Sequence, residues 1–139
     1  MPANKLTRDE VETILTRGVF HQWLGLRVLD LTDEALEVGA TWREEFMVNA
    51  ERRYTHGGIL ATLIDVTADY AIAAKLGRAF PTVDLRIDYH RAAMPGDLRV
   101  VASVIKLGRT FTTAEAQVFD EEGKLLASGR GVYHTEQPG

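Results

Sequence analysis

Between positions 56 and 76 the chain carries one long helical pattern whose apolar side is too wide to be left in water. Stepping about 100° per residue from Gly57 puts Ile59, Leu60, Leu63, Ile64, Val66, Tyr70, Ala71 and Ala74 on one broad arc. Asp65 and Asp69 fall on the opposite side, beside Gly58, Ala61 and Thr62, with Asp69 expected to be the more solvated of the two acids. Gly77 stops the helix and Pro81 prevents its return. A lone helix with so broad an arc needs a large apolar cover, and the rest of the chain has to supply it.

The cover is legible in the last third. Val83, Leu85, Ile87 and Tyr89 alternate with Asp84, Arg86, Asp88 and His90, which predicts a half-buried strand. Residues 98–107, 110–119 and 124–133 read as three more strands, so that the last four strands form a meander. Its turns fall at Pro95-Gly96-Asp97, Gly108-Arg109 and Asp120 to Gly123. Ahead of the helix, residues 26–31 and 35–42 read as a hairpin closed at Thr32-Asp33. Residues 43–53 read as a polar loop anchored by Phe46, Met47 and Val48. Residues 7–17 predict a helix capped by Thr7 and Glu10 and ended by Gly18, and the aromatic residues 20–25 predict an irregular loop. The pattern is α+β: a long central helix wrapped by a curved antiparallel sheet of about five to six strands, with an N-terminal helix in front.

A chain of 139 residues is expected to form one domain, with residues 1–24 as its N-terminal helix and loop and 25–135 as its core. The net charge of −4 argues against nucleic acid as a partner, because a phosphate backbone calls for a basic face. The absence of cysteine excludes disulfides, thiolate nucleophiles and sulfur ligands for metals. No apolar run approaches the ~20 residues of a membrane span, and Met1-Pro2-Ala3-Asn4-Lys5 lacks the pattern of a secretory signal. The expectation is a cytoplasmic protein with no membrane partner.

Chemistry concentrates at the helix entrance. The leading N–H groups of a helix have no internal partner and carry the positive end of its dipole. Gly57 and Gly58 would let a ligand approach that backbone closely and could polarise a carbonyl oxygen; equally, they could serve only a tight turn or close helix packing. His56 could orient a ligand or satisfy nearby backbone. Asp65 sits among small residues rather than lysines and glutamates, as a general base or as a hydrogen-bonded surface acid. Eight residues of helix place it roughly 12 Å along the axis from Gly57. A base must lie within hydrogen-bond reach of the water it activates, so one helix cannot serve both roles. Two antiparallel copies about a two-fold axis can, with Gly58, Ala61, Thr62 and Ala68 letting them approach. Catalysis here therefore predicts at least a homodimer.

Other chemistries find little support. His21, His56, His90 and His134 have no spacing that gathers a metal, so no metal site is expected. Ser103 and Ser128 lie in no nucleophile elbow. Gly108-Arg109-Thr110 lacks the lysine of a nucleotide-binding loop. Arg86, Arg91, Lys106, Arg109 and Arg130 could hold an anionic ligand or face solvent.

The run from His56 to Asp65, His-Gly-Gly-Ile-Leu-Ala-Thr-Leu-Ile-Asp, resembles the hotdog-fold acyl-CoA thioesterases, specifically the phenylacetate-pathway (PaaI-type) branch. The likeness continues through residues 81–97, 104–109 and 120–129 and covers most of 25–135. It implies a helix wrapped by an antiparallel sheet, paired as a homodimer and often as a homotetramer. It also implies hydrolysis of an acyl-CoA thioester without cofactor or metal. Gly57 matches the glycine whose N–H polarises the carbonyl, with Gly58 beside it. Asp65 matches the acidic base or nucleophile, His56 the neighbouring histidine, and Thr82 the hydroxyl that helps to place the attacking water. Asn49 corresponds to an asparagine before the glycine pair, though it precedes His56 by seven residues where six is usual. Arg91 and Arg109 are expected to contact the phosphates or ribose of CoA. A non-catalytic acyl-CoA-binding domain is the alternative. An acyl-CoA hydratase is disfavoured, because it needs Asp and His together at the entrance.

Overall fold

Thr7 opens the first helix with the expected reciprocal cap: its Oγ1 accepts the Glu10 N–H, and the Glu10 carboxylate accepts the Thr7 N–H. The computed structural model describes residues 1–136. Helix α1 (Arg8–Leu15) buries Val11 and Leu15 and is capped at Thr16, earlier than the predicted stop at Gly18. Gly18 instead precedes a short helix, α2 (Val19–Trp23), where an irregular loop was expected. One helical turn brings Phe20 into a stack with Trp23 and sets His21 edge-on to Tyr70. Residues 43–53 are the predicted loop, with one 3₁₀ turn (Glu44–Phe46) that drops Phe46 into the core against Trp23 and Trp42.

The sheet has six antiparallel strands: β1 (Leu26–Leu31), β2 (Leu36–Ala40), β3 (Thr82–Tyr89), β4 (Leu98–Lys106), β5 (Phe111–Phe119) and β6 (Leu125–His134). The spatial order is β1-β2-β4-β5-β6-β3. Strands β4, β5 and β6 form the meander, but β3 does not adjoin β4 as predicted. It crosses to the far side of β6, and β4 pairs with β2 instead. That exchange joins the N-terminal hairpin to the meander in one sheet and leaves β3 at an edge. The half-buried character predicted for β3 holds at its centre, where Leu85 and Ile87 pack partly buried on the core, but not at its ends, where Val83 is 57% and Tyr89 55% exposed. The two edges differ. The β1 edge is covered by α1, whose Arg8 guanidinium donates to the Val28 carbonyl, whereas no such cover lies on β3 among the described residues.

Helix α3 (Gly57–Leu76) lies in the concave side of this sheet, packed on β4, β5 and β6. Gly77 closes it in the left-handed conformation at φ 98°, which a side chain would strain. Leu60, Leu63, Ile64 and Ala71 bury as the arc requires. Thr67, Ala68, Ile72, Ala73 and Lys75 are buried as well, because a second layer covers the far half of the helix. There the Lys5 and Leu6 N–H groups bond the Ala74 carbonyl, and the Lys75 ammonium donates to the carbonyls of Pro2 and Asp33. Ala68 therefore belongs to the core and is not available as a contact to a second helix. Among the described residues no helix is long and apolar enough to cross a membrane.

Candidate active site

His56 is the N-cap of α3, and its Nδ1 accepts the Gly58 N–H at 2.9 Å. An accepting Nδ1 carries no proton, which places the proton of the neutral ring on Nε2. Of the two glycine N–H groups expected to be bare, Gly58 is thus engaged, and Gly57 has no hydrogen-bond partner among the described residues. Gly57 is also where a side chain would not fit freely. A Cβ there would lie 3.2 Å from the Tyr89 ring, whose hydroxyl donates to the Gly57 carbonyl at 2.7 Å. The last residue of β3 therefore braces the first turn of α3. Tyr54, Gly57, Gly58, Tyr89, His90 and Arg91 line an open cleft of about 560 Å³ over this entrance.

Asp65 lies two turns further along, at the other end of β3. Its Oδ1 accepts from Thr82 Oγ1 at 2.8 Å and from the Tyr133 hydroxyl at 2.9 Å. Oδ2 accepts no hydrogen bond among the described residues. Burial, together with the neighbouring Asp65 charge, pushes the Tyr133 phenol well above the usual tyrosine range, so it remains a donor. Asp69, expected to be the more solvated acid, is drawn inward. Its Oδ1 accepts the Phe80 N–H at 2.9 Å, and burial, opposed by that bond, raises its pKa to about 7, with the Asp65 charge adding to the rise. The chain after Gly77 folds back over this face of α3, covering Asp69 through Phe80 and reaching Asp65 through Thr82.

That burial has a measurable consequence. A carboxyl with a folded pKa of about 7, against 3.8 for an ordinary Asp, favours the folded state at low pH, and this contribution is lost as pH rises towards 7. Asp69→Asn keeps an acceptor for Phe80 N–H and removes the charge. It is expected to leave stability at pH 4 nearly unchanged and to raise it by ~2 kcal/mol at pH 8, discounted for partial exposure. Thermal melts at the two pH values read this directly.

The other predicted residues spread out. Arg91 shares the cleft with Gly57. Arg109 is exposed in the β4–β5 loop, outside that cleft. Asn49 uses its side-chain oxygen within its own loop, accepting from the N–H groups of Glu51 and Arg52, and among the described residues no side-chain hydrogen bond ties it to the helix entrance. Sequence reasoning missed Tyr89 and Tyr133. Alternation placed both on strands, but only their contacts with α3 show that one braces Gly57 and the other binds Asp65.

The sequence profile of the thioesterase superfamily matches residues 53–127, a span that takes in the helix entrance, Asp65 and all of β3. The chain belongs to the thioesterase superfamily. It is a thioester hydrolase, and the hotdog architecture implied by the resemblance is the one observed. A solved structure of a thioesterase-superfamily protein is 46% identical with a TM-score of 0.89, over 91% of this chain and 96% of that one. The zebrafish thioesterase superfamily member 2 is 29% identical with a TM-score of 0.82, over 94% and 99%. In Cronobacter turicensis, the proofreading thioesterase EntH is 26% identical over 81% of this thioesterase and 82% of its own length.

Proposed function

We propose that this thioesterase hydrolyses an acyl-CoA thioester to the free acid and CoA, at a site shared between two copies of the chain. The observation that carries the reading is the unpaired Gly57 N–H at the positive end of a 20-residue helix, open to a cleft. EntH is one relative named for thioesterase activity. Another is the medium/long-chain acyl-CoA thioesterase YigI of Salmonella typhimurium, 25% identical over 82% of this chain and 83% of its own. The PaaI-type branch is the reading taken for the subfamily, and the cytoplasm for the compartment.

The bare β3 edge supplies the way two copies meet. Asp65 is tied to Thr82 at the start of β3, and Gly57 to Tyr89 at its end. Antiparallel pairing of two β3 edges about a two-fold axis near Leu85 and Arg86 sets the Tyr89 end of one copy against the Thr82 end of the other. Gly57 then approaches the partner's Asp65, which closes the gap that one helix cannot close. The β4–β5 loop lies at the Thr82 end, since Thr135 N–H bonds the Thr110 carbonyl and His134 N–H bonds the Pro81 carbonyl. Arg91 and the partner's Arg109 would then flank one site, in place to hold the phosphates of CoA.

In this scheme the Gly57 N–H polarises the thioester carbonyl. The partner's Asp65 takes a proton from a water placed with the help of the partner's Thr82. The water oxygen bonds to the carbonyl carbon, the C–S bond breaks, and the proton passes on to the departing CoA thiolate. Direct attack by the carboxylate, through a mixed anhydride that water then opens, is the variant of the same scheme. No metal or cofactor is needed. The test is thiol release from acetyl-, hexanoyl-, phenylacetyl- and palmitoyl-CoA, before and after dialysis against EDTA. Turnover of at least one, undiminished by EDTA, is expected; saturable binding without thiol release would replace hydrolysis with acyl-CoA sensing.

A further inference from the structure

Along β6 the residues facing α3 run Gly129, Gly131, Tyr133, and at both glycines the space a side chain would need is already taken. A Cβ at Gly129 would lie 2.6 Å from the Arg86 carbonyl and 3.0 Å from Ile64. A Cβ at Gly131 would fall on the Tyr133 ring, 2.6 Å from its Cζ. The ring thus lies back along its own strand over Gly131, fully buried, with its hydroxyl directed at the helix. That hydroxyl is shared between Asp65 Oδ1 and the Asp65 carbonyl, at 2.9 and 3.0 Å. Thr82, exposed at the edge strand, reaches the same Oδ1 from the other side. Both donors engage one oxygen and leave the other, Oδ2, with no hydrogen-bond partner among the described residues.

We propose that Tyr133 is a positioning residue for the hydrolysis: seated over Gly131, its hydroxyl fixes the Asp65 carboxylate with Oδ1 held and Oδ2 presented to the reacting water. The inference rests on Asp65 being the base or nucleophile. Two features separate it from ordinary core packing. The hydroxyl binds both the backbone and the side chain of one residue, which locks the carboxylate rotamer to the helix that carries it. The donor is also buried, so solvent does not compete for it, unlike Thr82.

The test compares Tyr133→Phe and Gly131→Ala with the wild type on whichever of the four thioesters is turned over fastest. Phe keeps the ring and removes the donor; Ala keeps the phenol and displaces it. For each variant that circular dichroism shows to be folded, kcat is expected to fall by about 10- to 100-fold with KM within about twofold. The acid limb of the kcat/KM profile should move to higher pH, because a carboxylate that loses a donor is protonated more easily. A structural role alone would lower the melting temperature and leave the pH profile in place. A folded variant with wild-type kcat and an unmoved profile, in a protein that Asp65→Asn inactivates, overturns the proposal. So does a change confined to KM. If Asp65→Asn itself stays active, the failure lies in the reading of the site.

Discussion

Asp65→Asn is expected to lower kcat by about 10²- to 10⁴-fold, the range usual for removing a general base, and by more if the carboxylate is the nucleophile. The fold should survive the change. The Asn carbonyl oxygen can still accept from Thr82 and Tyr133, which hold Oδ1 at 2.8 and 2.9 Å. It also removes a negative charge one turn from Asp69, which lessens the repulsion that helps to raise that carboxyl. The melting temperature should therefore stay level or rise while turnover collapses. Thiol release, a thermal melt and a sizing column on the same preparation test this. Near-normal turnover would remove Asp65 from the mechanism.

Gly57→Pro is the second large effect, because it removes a single N–H at the one helix position where proline fits. Gly57 is the first residue of α3, and His56 before it has φ −57° and ψ 136°, the extended geometry that a following proline requires. Any side chain at 57 also presses on the Tyr89 ring at 3.2 Å, so Gly57→Ala is the control that adds the carbon and keeps the donor. The alanine variant should lose activity modestly, and the proline variant a further ~10²- to 10³-fold in kcat, the usual worth of one oxyanion donor. Mixing the two inactive variants, Asp65→Asn and Gly57→Pro, then tests the proposed shared site. Subunit exchange makes heterodimers with one intact pair, so activity should return to about one quarter of wild type. No recovery after confirmed exchange would place Gly57 and Asp65 in separate sites.

The parts of this architecture governed by near neighbours were the parts legible in the chain. The Thr7–Glu10 box, the stop at Gly77 and the strand alternation of 98–133 depend on contacts within a few residues or on a period of two, and all are present. What the sequence concealed depends on which element lies beside which. The alternation of β3 is the same whether it pairs with β4 or with β6, yet only the second leaves Val83 and Tyr89 at a bare edge. Helical phase puts Asp69 beside Asp65, away from the apolar arc. It cannot register that the chain after Gly77 folds back over that face and draws Asp69 inward, while Asp65 keeps one oxygen without a hydrogen-bond partner among the described residues.

By itself the sequence determined that a long helix must be wrapped by a sheet, that Gly57 and Asp65 are its candidate site residues, and that about two helical turns separate them. Those conclusions come from helix geometry and residue type, which need no knowledge of the rest of the fold. Only the tertiary structure decided which glycine N–H is left bare among the described residues, which tyrosine braces each end, and which sheet edge is left without a helix over it. Each depends on where a hydroxyl or imidazole from a distant segment comes to rest. Those placements are set by packing across β3, β6 and α3 rather than by any local pattern.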